Sequence, residues 1–115
     1  MRTRLRRLHV DGRAYTWRAV ITAATGPDGH YHRIVRVRVW GAGKNGCALQ
    51  ADLVERYDGP ETYPYPGAED LRALIRYGLR AGWAAGAVGG AVVLREGSGP
   101  VLPRFAVTDL LLRSA

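Results

Sequence analysis

The stretch "RVRVWGAGKNGCALQADL", residues 36–53, decides the fold. Within it, Gly41, Gly43 and Gly46 complete a G-x-G-x-x-G directly after a strand-like run. Such a loop either cradles a phosphate or turns one strand back on another. A dinucleotide fingerprint needs a buried parallel strand before it, a helix after it, and an acidic residue roughly twenty positions on. Parallel strands covered on both faces read as nearly continuous apolar runs. Here Arg36 and Arg38 alternate with Val35, Val37 and Val39, which marks one wet face. No Ser or Thr follows Lys44 to bind magnesium, so a phosphate loop is excluded too. A hairpin explains the stretch better. Glycines at 41, 43 and 46, with Asn45, permit positive φ angles. It also predicts a register: Arg36 opposite Asp52, Arg38 opposite Gln50, Val37 opposite Ala51 and Val35 opposite Leu53. Cation then meets anion and apolar meets apolar. The run 47–55 is ambiguous between strand and helix, and the strand is favoured.

Working towards the N-terminus, residues 13–22 alternate. Tyr15, Trp17, Ala19 and Ile21 share one face; Thr16, Arg18 and Val20 share the other. Asp11-Gly12 is a two-residue hairpin signal, and Leu5, Leu8 and Val10 suggest a first strand before it. "AATGPDG" (residues 23–29) reads as a loop. A third strand, 30–40, carries Arg36, Arg38 and Trp40 on one side.

Working towards the C-terminus, "RYDGPETYPYPG" (residues 56–67) is a long proline-rich connection holding Tyr57, Tyr63 and Tyr65. The clearest helix follows. Leu71, Leu74, Ile75, Gly78 and Leu79 have the spacing of one buried face. Pro66, Glu69 and Asp70 suit its start, and Gly82 its left-handed end. Residues 91–95 and 105–107 read as short strands, and Thr108 as the cap of a short terminal helix. The expected fold is α+β in a single domain, residues 1–115. It has an antiparallel β-meander of about four strands, one main helix packed on one face, and a short closing strand or two.

"GRAYTWRAVI" (residues 12–21) and "DLRALIRYGLRAGW" (residues 70–83) resemble small uncharacterised bacterial α+β proteins. These have a strand meander, one helix ending in Gly-Trp and a closing strand. The resemblance covers about half the chain. It implies this fold and carries no activity and no site residues.

Composition narrows the function. Formal net charge is +7, and sixteen of the seventeen basic residues are arginine. Such a charge favours anionic partners, although heavy Arg, Ala, Gly and Val use also matches a high-GC compositional bias. Cys47 is the single cysteine, which rules out an internal disulfide and suits a cytoplasmic setting. No apolar run has signal-peptide or membrane-span length, so no membrane association is expected.

No catalytic set, metal site or cofactor is expected. His30 and His32 share a strand face but lack a third ligand at a telling spacing. Cys47 lies on the apolar side of its strand, as a small hydrophobe does. Two basic surfaces are candidates for anions or nucleic acid. One is the helix stripe Arg72, Arg76 and Arg80; the other is the sheet face with Arg18, Arg36, Arg38 and Trp40. The tyrosine loop, Tyr57, Tyr63 and Tyr65, is a candidate partner loop. The expected function is a small non-enzymatic binding or accessory module acting through a protein interface or self-association. Nucleic-acid binding through the arginine surfaces is the alternative.

Overall fold

A computed structural model describes residues 4–41, 46–56 and 64–113. The chain forms β1 (Arg6–Val10), β2 (Arg13–Thr25), β3 (Tyr31–Trp40), β4 (Ala48–Glu55), α1 (Ala68–Arg80), β5 (Ala91–Val93), β6 (Phe105–Val107) and α2 (Leu110–Arg113). All six strands join one sheet. The fold is α+β and mostly sheet. The expected meander of about four strands with one main helix is imprecise: the short closing strands, β5 and β6, belong to the same six-stranded sheet, and α2 is a second short helix.

The meander β1-β2-β3-β4 is antiparallel throughout. Asp11 and Gly12 close the first hairpin with φ of 51° and 81°. Two consecutive positive φ angles give the turn whose twist matches the flanking strands. Between β3 and β4, Val35 faces Leu53, Arg36 faces Asp52, Val37 faces Ala51 and Arg38 faces Gln50, the register the charges and valines predict. The loop at 42–45, with most of the G-x-G-x-x-G, lies outside the described residues.

The sheet departs from a purely antiparallel meander at β5, which runs parallel to β4. A parallel neighbour requires a long crossover, and α1 supplies it. The outer edge of β4 is shared. β5 lies beside its first residues and β6, antiparallel, beside its last. Between them Leu94 N–H donates to Gln50 O at 2.8 Å and Thr108 N–H to Asp52 O at 2.9 Å.

One sheet face packs on α1. Tyr15, Trp17, Ala19, Val35, Val37, Val39, Leu49, Ala51 and Leu53 meet Leu71, Leu74 and Ile75 in a single core. Burying each large aliphatic side chain contributes roughly 1.5–3 kcal/mol. Gly78 is where α1 comes closest to the sheet: a Cβ there would stand 2.8 Å from Leu49 Cδ2. Glu69 and Asp70 occupy the first turn, and Asp70 Oδ2 accepts from Gly67 N–H at 2.8 Å. Gly82 ends the helix at φ 103°.

Leu79, expected on the buried face of the helix, and Ile21, on the strand face of Trp17, lie outside the core. Ile21 is 52% exposed and Leu79 40% exposed. Ile21 shares the face of Trp17 but lies past the end of β1. Leu79 sits in the last turn of α1, at the margin of its contact with the sheet.

Candidate interaction surface

The second sheet face carries the polar side chains. Antiparallel register places Arg7, Thr16 and Trp40 in one row, then Arg18, Arg38 and Gln50, then Val20, Arg36 and Asp52. Period-two alternation brings these residues together, because their neighbours fill the core below. Arg36 forms a two-pronged ion pair with Asp52, at 2.7 Å through Nε and 3.0 Å through Nη2. Asp52 is buried, and its hydrogen bond holds the Arg36 pKa above the ordinary arginine range. Arg38 Nε donates to Gln50 Oε1 at 2.8 Å.

Arg18 stands opposite Arg38, cation beside cation. Its guanidinium lies 5.8 Å from the Trp40 ring centroid, a cation–π geometry. Trp40 itself is buried, so its ring offers no open stacking platform for a base. Arg18 Nε is enclosed without a hydrogen-bond acceptor among the described residues. Arg7, Arg18 and Arg38 form no ion pair among those residues.

The far part of this face meets α2. Leu111 and Leu112 approach Val20 and Thr22, and these four with Arg36 line an open groove of about 480 Å³. A clasp holds α2 in place. Glu96 Oε1 accepts from Thr108 Oγ1 and from Asp109 N–H, and Asp109 Oδ1 accepts from Glu96 N–H and Arg95 Nε. Thr108 Oγ1 accepts from Leu110 N–H at 3.2 Å, the expected cap. The Arg95 hydrogen bond, with that of Glu96 N–H, lowers the Asp109 pKa against some desolvation.

No protein family, curated protein or solved structure matches the chain.

The helix stripe is less open than its spacing implies. Arg72 donates to Glu69 at 2.6 Å, and Arg76 grips Asp11 at 3.1 and 3.2 Å. Arg80 lies exposed in the last turn. Of the tyrosine loop, Tyr57 and Tyr63 lie outside the described residues. Tyr65 packs 6.3 Å from Trp17, with Arg6 over its ring at 5.7 Å. His32 bonds Asp28 at 3.1 Å, and among the described residues no group of three His, Cys, Asp or Glu is placed to hold a metal ion. Cys47 is half-buried at the rim of the core.

One surface has no counterpart in the sequence reading. β1 has five residues and β2 thirteen. β1 pairs only with residues 13–17 of β2. The outer edge of β2 over residues 18–25 therefore has no strand beside it among the described residues. Past Arg18 this edge reads "AVITAAT", with neither charge nor proline. Val20 is 39% exposed on it. Only the unequal lengths of the two strands could have signalled it, and alternation does not report where a neighbour stops.

Proposed function

We propose that this protein is a small non-enzymatic binding module that acts through a protein interface, taking up an extended segment of its partner along β2. The edge of residues 18–25, which has no strand beside it among the described residues, carries this reading. Exposed edges are usually blunted by lysine, proline, bulges or shortness, and this one has none of these past Arg18. Backbone groups that await partners supply affinity in strand addition, and side chains alternating to either face supply selectivity. Val20 and Ile21 offer apolar contacts, one on each face.

The nucleic-acid alternative has less support. Trp40 is buried, and Arg36, Arg72 and Arg76 each face a carboxylate. Affinity capture from native lysate, with and without nuclease, tests the choice. A protein retained after nuclease by the wild type, and lost by the V20K/I21K double variant, is the expected result. Val20 is 39% and Ile21 52% exposed, and an unchanged far-UV circular dichroism spectrum checks that the variant keeps its fold. Capture abolished by nuclease would favour nucleic acid instead.

A further inference from the structure

The open edge begins at a cationic cluster that forms no ion pair among the described residues, and the two features together define the chemistry of the segment that docks. On the face shared with α2, Arg7, Arg18 and Arg38 converge around Thr16 and Trp40. The only carboxylate in the β4 part of this face, Asp52, is taken by Arg36. Arg18 and Arg38 occupy directly opposed positions, an arrangement that repels unless an anion joins it. The Arg18 guanidinium lies 5.8 Å from the centroid of the Trp40 ring. Arg18 is also the first residue of β2 beyond its pairing with β1.

A strand added to β2 places one side chain directly beside Arg18 on this face, within about 5.5 Å between Cβ atoms. The next side chain on the same face, two residues along, meets Val20 and the groove with Leu111 and Leu112. We propose that the partner segment is an acidic strand, with a carboxylate beside Arg18 and, two residues along, an apolar side chain in the Val20–Leu112 groove. A planar guanidinium matches a carboxylate in a paired hydrogen-bond geometry that lysine does not offer. A second copy of this chain does not meet the requirement. Its own edge, "AVITAAT", brings no carboxylate to Arg18, and both copies carry a net charge of +7. This inference rests on the strand-docking reading above and adds the charge of the partner.

The test uses the full chain with a soluble peptide of alternating threonine and valine in which one valine is replaced by glutamate. Its glutamine counterpart and inorganic phosphate serve as the other probes. Backbone amide and arginine Nε–Hε resonances are followed by NMR during titration. Both peptides are expected to shift the amides of residues 18–25. The glutamate peptide is expected to bind about tenfold more tightly and to move the Arg18 Nε resonance. The Arg18→Gln variant is expected to bind the two peptides equally while the amide shifts persist. Equal affinity of the wild type for both peptides would overturn the acidic assignment and leave strand docking standing. A saturable Arg18 response to phosphate as strong as that to the glutamate peptide would also overturn it, in favour of a phosphate site. Amides of residues 18–25 that respond to neither peptide would overturn the docking reading itself.

Discussion

Leu74 and Ile75 are buried at the centre of the contact between α1 and the sheet, with exposures of 1% and 0%. Truncating either to alanine removes methyl groups and leaves a cavity that the rigid sheet cannot close. A destabilisation of about 2–5 kcal/mol is expected, read from urea denaturation midpoints at unchanged m-value. A cost under about half a kcal/mol would place them at the surface. Arg36 and Asp52 show how a single pair fixes a register. Slipping β4 by one residue would carry Asp52 into the core and Leu53 to the polar face. The pair was legible because charge and hydrophobicity alternate with the same period in both strands. Trp40 was not: alternation places it on the polar face, but only the structure shows Arg18 lying over it.

Among the elements, α2 depends most on side-chain hydrogen bonds, since four residues make barely one turn. Asp109 is the part of its clasp that responds to pH. The hydrogen bond from Arg95 lowers its pKa in the folded state below the unfolded value of about 3.9. The unfolded chain therefore binds more protons as the solution is acidified. The stabilisation is fully present above about pH 4 and is lost as pH falls through the folded pKa. The Asp109→Asn variant is expected to be less stable than the wild type at pH 7, with the difference narrowing at pH 3, as followed by urea denaturation at both values. The meander, α1 and the cap at Thr108 were all readable from local signals: alternation, helical spacing and turn residues. The parallel placement of β5 and the open edge of β2 were not. The first depends on where the crossover through α1 returns the chain and the second on where β1 stops, and no local pattern encodes either.

For the whole molecule, net charge says less than its distribution. Glu69 on α1 and Asp11 in the turn between β1 and β2 face two of the three stripe arginines, so a phosphate approaching them meets carboxylates as well. Replacing Arg72, Arg76 and Arg80 together with Gln is expected to change the log–log salt slope of any residual nucleic-acid binding by less than about one unit. Three phosphate contacts would change it by roughly two to three. Fluorescence anisotropy at several salt concentrations measures the slope. Among the described residues no helix is long and apolar enough to cross a membrane.

The shared edge of β4 has a consequence for the order of folding. Hairpin contacts in the meander form between near neighbours in the chain, whereas Leu53 meets Val107 only after about half the chain has been added. Loop closure over such a span delays the contact. During synthesis the meander is therefore complete before either strand that seals β4 has emerged. For that interval the nascent sheet has two open sides, and the β4 side is the one that β5 and β6 later cover. Residues 91–93 and 105–107 thus close one side of the sheet late, while the edge of β2 past Arg18 keeps no strand beside it among the described residues.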